Sequence, residues 1–262
     1  LETPRAIGAD VEAFALRFEE EWRLDLDRLA SRIRPETRLV SVTYPHNPTG
    51  SMITEDELVA LVTLIESHPH ARLLVDETYR ELAYTDPLPP AATLSPRVVA
   101  TSSMSKTYGL PGLRVGWLTC RDERLLETLL AAKEQILICG AVLEEELAAR
   151  VLERRPSILS LVHAKTRRHL SIVRDWIHEH AYFEWVEPRA GVVGFPRLRP
   201  ELEIDVDAFY YSLLEQHGTY VGPGHWFDQD KRSFRLGFAW PTETELERGL
   251  EGLERAAAGS LL

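Results

Sequence analysis

The stretch Ser102-Ser103-Met104-Ser105-Lys106-Thr107-Tyr108-Gly109-Leu110-Pro111-Gly112-Leu113-Arg114-Val115-Gly116 places a lysine just behind small hydroxyl residues. An arginine follows across a turn built from Gly109, Pro111 and Gly112. A lysine amine condenses with an aldehyde, hydroxyls donate to phosphate oxygens, and a guanidinium forks onto the same phosphate. The stretch therefore suits one small molecule that carries both an aldehyde and a phosphate. A lone lysine is far more often a solvated charge, so the rest of the chain must supply further contacts.

Three short apolar runs have the form that would position them. Arg38 to Tyr44 is rich in β-branched residues and stops at Pro45-His46-Asn47-Pro48-Thr49-Gly50. Arg72 to Val75 runs into Asp76-Glu77-Thr78-Tyr79, and Arg97 to Ser102 runs into Lys106. Between the first two, Thr54 and Glu57 form a capping box for a helix with Leu58, Leu61, Val62 and Ile65 on one face. Strands apolar on both faces, joined by helical or long connections, imply a parallel sheet covered on both sides. Ligands of such sheets bind beyond the carboxyl ends of the strands. Asn47, Asp76 and the Ser103 to Lys106 cluster all fall there.

Upstream, Val11 to Phe18 favours extended structure, and Asp25 precedes a short helix with Leu26, Leu29 and Ile33 on one face. Downstream, Leu113 to Leu118 is expected as a strand, and Asp122 to Arg154 as helix broken near Cys139-Gly140. Pro156 to about His180 makes a long amphipathic helix of the kind that bridges two domains. Strands at 182–186 and 192–195, a helix at 205–216, a loop at 221–224, an arginine-bearing strand at 233–239 and a last helix capped by Thr242 and Glu245 complete the chain. The expected fold class is α/β, with a predominantly parallel sheet in a first domain, 1–154, and a smaller α+β domain, 155–262, that includes the bridging helix.

Composition narrows the classes. A formal net charge of −11 argues against a broad nucleic-acid or anionic-membrane surface. No apolar run approaches the roughly 18 residues of a spanning helix, and a cytoplasmic setting is expected. Cys120 and Cys139 lack metal-ligand spacing, as do the histidines, so no metal is expected. Trp117, Trp226 and Trp240 are expected in the core or at a domain interface, and Glu144-Glu145-Glu146 on a solvated helix face.

Pyridoxal phosphate matches the aldehyde and the phosphate, and its needs can be set against the remaining residues. Its ring nitrogen must stay protonated for the ring to accept electrons, and a carboxylate at a strand end does this. Asp76 is the candidate, although an Asp there can equally cap a turn. Tyr79 and Asn47 can donate to the phenolic oxygen. A packing tyrosine and a turn-forming asparagine before proline are the plain alternatives.

With Asn-Pro-Thr-Gly, Asp-Glu-Thr-Tyr and Ser-Met-Ser-Lys followed by Gly-Leu-Pro-Gly-Leu-Arg-Val-Gly in this order, the sequence resembles the class I/II aminotransferases, fold-type I pyridoxal-phosphate enzymes, from about Trp22 to the last helix. The resemblance implies that Lys106 is the Schiff-base lysine and proton shuttle, Asp76 the partner of the pyridine nitrogen, and Tyr79 and Asn47 donors to the phenolic oxygen. It makes Ser103, Ser105 and Arg114 phosphate ligands. It makes Arg235, in Ser233-Phe234-Arg235-Leu236-Gly237, the binder of the substrate carboxylate beside Asn47. The family's upstream phosphate loop and ring-stacking aromatic have no counterpart in this sequence, which reads as starting inside the first domain. A homodimer is implied, with an amino acid and a 2-keto acid as substrates and ping-pong transamination as the reaction. Other outcomes on the same cofactor are open: decarboxylation, elimination or cyclisation. So is the cofactor-sensing domain of a transcription regulator.

Overall fold

A computed structural model describes residues 2–262 of the chain. After helix α1 (Glu2–Ala6) and helix α2 (Leu26–Ala30), strand β1 (Leu39–Thr43), helix α3 (Glu55–Glu66), strand β2 (Arg72–Asp76), strand β3 (Val98–Ser103) and strand β4 (Gly116–Cys120) form the first layer. The sheet order is β1-β2-β3-β4, and its first two pairings are parallel. β4 runs antiparallel to β3, with Gly116 opposite Ser103, so the sheet is mixed but mostly parallel. α3 opens with the expected reciprocal cap, Thr54 accepting from the Glu57 amide and Glu57 from the Thr54 amide. Its buried Leu58, Leu61, Val62 and Ile65 pack with Leu73, Val75 and Val98 of the sheet.

Val11 to Phe18 is not a strand. The segment is held against α2 rather than paired with a strand: Arg28 lies 4.7 Å over the Phe14 ring and donates to the Ala15 carbonyl at 3.0 Å. The strand expected at Leu113 starts only at Gly116, because Pro111–Leu113 forms a 3-10 turn that reverses the chain before β4.

Helices α4 (Glu123–Ile136) and α5 (Val142–Glu153) are separated at Cys139-Gly140, as the sequence indicates. Helix α6 (Arg155–Glu179) then leads to β5 (Phe183–Glu184), β6 (Val193–Gly194), β7 (Arg197–Leu198), helix α7 (Val206–Glu215), β8 (Gly222–Pro223), β9 (Phe234–Gly237) and helix α8 (Glu243–Ala258). β5 pairs with β7, and β9 lies between β6 and β8, all antiparallel. A second core, with Val173, Phe183, Phe209, Phe234 and Leu253, fills the space between these strands and helices α6, α7 and α8. Phe18 and Glu19 reach this part of the chain: Arg197 stacks 3.6 Å over the Phe18 ring and pairs with Glu19 at 2.9 Å.

The tryptophans depart from expectation. Trp240 is 88% exposed and Trp226 54%, and Trp117 lies on β4, whose first four residues are exposed. β4 is exposed from Gly116 to Thr119 although α4 approaches it, so an apolar strand sequence does not by itself produce burial here. No helix among them is long and apolar enough to cross a membrane.

Candidate active site

Three parallel strands ending at one edge, and one antiparallel strand starting there, gather the sequence-selected residues at that edge. In register, Thr43 lies beside Asp76, Asp76 beside Thr101, and Ser103 beside Gly116. Asn47 follows β1, Asp76 ends β2, Ser103 ends β3, Ser105 and Lys106 lie in the next turn, and Arg114 precedes β4.

The turn that carries Asn47 is closed by His46 N–H to Ser51 O at 2.9 Å and Gly50 N–H to His46 O at 2.7 Å, with cis bonds before Pro45 and Pro48. Gly50 has φ +67°, and a Cβ there would stand 2.4 Å from Pro188 Cβ and 2.8 Å from the Ala190 carbonyl. Only glycine meets both demands. The same approach lets Arg189 and Ala190 donate their amides to Gly50 O, which ties this turn to the C-terminal part.

From that part, Arg235 of β9 reaches the turn. Its Nη1 donates to Asn47 Oδ1 at 3.3 Å, and its guanidinium lies 5.1 Å from the Phe227 ring centroid. With Oδ1 accepting from Arg235, the Asn47 amide nitrogen keeps its donors for another group. Tyr79 is buried, and burial raises its phenol above the usual range; Arg235 pulls it down and Asp76 pushes it up. The phenol stays protonated and can donate.

Asp76 accepts from Thr78 twice, from N–H at 3.0 Å and from the hydroxyl at 2.6 Å. Both bonds go to Oδ1, so Oδ2 takes neither. Thr78 in turn accepts on its carbonyl the hydroxyl of buried Thr107 at 2.8 Å, next to Lys106. Lys106 itself is exposed. Thr78 and Thr107 were not singled out by sequence. The Asp-x-Thr spacing of an Asx turn was the available signal for Thr78; the Thr107 contact joins positions far apart and has none.

Not every selected residue is joined to the others. The Ser103 hydroxyl accepts from the Ser105 amide at 3.3 Å, while exposed Arg114, at φ +53°, donates to the Pro111 carbonyl at 3.0 Å. Among the described residues no hydrogen bond links Arg114 to either serine. The three line the same edge as separate donors.

An acid at a strand end, a neutral phenol, an amide with free donors, an exposed amine and nearby hydroxyl and guanidinium donors are the set that a phosphorylated pyridine aldehyde requires. The chain matches the family model "Aminotransferase class I and II" over residues 3–253 and belongs to that family. It is a pyridoxal-phosphate-dependent protein of fold type I. Capreomycidine synthase of Streptomyces vinaceus is 33% identical over 251 residues, which are 95% of this chain and 63% of that protein. A pyridoxal-phosphate-dependent aminotransferase from Streptococcus suis superposes with a TM-score of 0.90 at 29% identity, covering 98% of this chain and 67% of that one. The pyridoxal-phosphate-dependent cyclase OrfR superposes at 0.83 with 31% identity, covering 98% and 68%. The chain thus spans about two thirds of the length of these relatives.

Proposed function

We propose that this chain carries the catalytic residues of an aminotransferase that binds an α-amino acid through Arg235 and moves its Cα proton with Lys106. The observation that supports the reading is the contact of Arg235 with Asn47, which brings a guanidinium able to fork onto a carboxylate to the edge that carries Asp76 and Lys106. When bound, pyridoxal phosphate supplies an aldehyde for amino groups and an electron sink for Cα.

The residues then divide the work. Lys106 would hold the aldehyde and would serve as the base and acid at the substrate Cα. Asp76 holds the proton on the ring nitrogen, with its carboxylate oriented by Thr78. Tyr79 and Asn47 donate to the phenolic oxygen, and Ser103, Ser105 and Arg114 bind the phosphate. Arg235 takes the substrate carboxylate as a planar fork, which lysine could not do.

A second reading, ring closure on the amino acid, is favoured by the likeness to capreomycidine synthase and to the cyclase OrfR. Both readings use the same proton transfer, and they separate at the product.

We also infer a division near Arg154, where α5 ends and α6 begins, and a homodimer in the cytoplasm. Ile136, Ile138 and Leu143 are 77–88% exposed, which fits burial against a second copy, and the free Cys120 and Cys139 fit a reducing compartment.

The test is a panel of amino acids added one at a time to the cofactor-loaded protein, with mass spectrometry of the products. A 2-keto acid and the aminated cofactor establish transamination, and an amino acid cyclised without loss of nitrogen establishes the second reading. Full turnover in Lys106→Ala overturns both.

A further inference from the structure

The carboxylate of Glu81 joins three segments that the sequence keeps far apart. It lies in the 3-10 turn Arg80–Leu82, which continues the chain from Asp76 through Tyr79. Its Oε2 accepts the Tyr108 hydroxyl at 2.5 Å, and Tyr108 stands two residues after Lys106. Its Oε1 accepts from the guanidinium of Arg155, the first residue of α6.

Glu81 and Tyr108 are largely enclosed, while Arg155 is 44% exposed. Tyr108 is 8% exposed and packs with Met104 and Ala148, against Leu110, Val115 and Ile158. Burial and the Glu81 charge push the Tyr108 phenol up to about 12. Burial opposes the charge on Glu81, but the hydrogen bonds from Arg155 and Tyr108 outweigh it and hold the carboxyl below the usual range. Arg80 adds a guanidinium 3.7 Å away. At neutral pH the cluster is a charged pair with a neutral phenol donating into it, and hydrogen bonds of that kind are among the stronger ones.

We propose that Glu81 is a positioning residue: by holding Tyr108 it fixes the Lys106 turn relative to Asp76, and through Arg155 it makes that position depend on where α6 stands. The proposal rests on the reading of Lys106 as the attachment point. It adds a residue that meets neither cofactor nor substrate, and a route by which movement of the C-terminal part reaches the reactive amine. A tie of this kind between two elements predicts loosening of the tied turn when either partner is removed, while the rest of the fold keeps its protection.

Three measurements on the cofactor-loaded chain test it. Borohydride reduction with peptide mapping locates the covalent attachment; a label away from Lys106 refutes the attachment reading and leaves the clamp to be judged by the other two. Amide hydrogen exchange over residues 104–110 is expected to be at least tenfold faster in Glu81→Gln and in Tyr108→Phe. It is expected to be unchanged in Glu187→Gln, which breaks the half-exposed pair with Arg174. The pH midpoint of the cofactor's visible band is expected to move in both clamp variants, and to move no further in the double variant. Where Glu81→Gln fails to fold, Tyr108→Phe, which keeps the Glu81–Arg155 pair, carries the test. Unchanged exchange and an unchanged midpoint in a folded Tyr108→Phe overturn the proposal.

Discussion

The hydroxyl of Thr107 donates to the backbone carbonyl of Thr78 at 2.8 Å, and the hydroxyl of Thr78 donates to Asp76 at 2.6 Å. The residue beside Lys106 is thus two hydrogen bonds from the carboxylate assigned to the ring nitrogen. Thr107 is 3% exposed and its bond to Thr78 is half-buried, so Thr107→Val leaves the Thr78 carbonyl without this donor. The expected cost is about 1–3 kcal/mol, measured by urea unfolding. Thr78→Val removes the shorter of the two bonds that orient the Asp76 carboxylate and leaves the amide bond, so pyridoxal phosphate should bind more weakly even where unfolding changes little; a fluorescence titration with the cofactor reads this.

Gly50 gives the sharpest packing prediction. Gly50→Ala combines a left-handed backbone, which costs about 1–2 kcal/mol for a residue with a Cβ, with a Cβ placed 2.4 Å from Pro188 Cβ. Some of that overlap is relieved only by moving the Arg189 and Ala190 amides off the Gly50 carbonyl. A loss of at least about 2 kcal/mol is expected, read as a drop in thermal midpoint. Weaker amino-acid binding should accompany it, because the same turn carries Asn47.

The edge of the sheet was legible in the sequence because each strand there is a short apolar run that stops at polar or turn residues. Asn47, Asp76 and Lys106 could be set on one rim before any fold was known. Arg235 could be matched only through the family resemblance, since its contact spans 188 positions of sequence. Glu81, Tyr108 and Arg155 were invisible because charge and aromatic character at scattered positions say nothing about which meet. Trp117 is exposed because an apolar strand is buried only where another element packs over its face.

His46 makes stability depend on pH. Burial beside the Thr49 hydroxyl, at 2.9 Å, pushes its imidazole down to about 4 from an unfolded value near 6.5. Between those values the unfolded chain holds a proton that the folded one refuses, so stability falls as pH drops through 6.5 toward 4 and is unaffected above it. At pH 4.5 the loss from this group is roughly 2–3 kcal/mol. The difference between wild type and His46→Asn in urea unfolding, at pH 7.5 and at pH 4.5, isolates it; equal differences at the two pH values would show that His46 titrates normally.

Arg235→Lys keeps the charge and removes the fork. A lysine ammonium offers a point charge to a carboxylate, loses the planar contact with the Phe227 face, and cannot present two parallel, coplanar donors to a ligand while it holds Asn47. If Arg235 binds the substrate carboxylate, KM for the amino acid should rise about 10- to 100-fold, equivalent to roughly 1.4–2.8 kcal/mol. The turnover number should fall less, because Lys106 and Asp76 are untouched. Phe227→Leu should give a smaller rise of the same kind, since it removes only the ring under the guanidinium. Cofactor affinity, titrated without amino acid, should stay within about twofold in both variants, well inside the tenfold that 1.4 kcal/mol represents. A KM that does not change in Arg235→Lys would move the carboxylate site elsewhere on this edge. Cofactor affinity lost in step with KM would instead mean that the Arg235 to Asn47 contact serves the cofactor pocket as a whole, acting through the Asn47 amide rather than through the substrate.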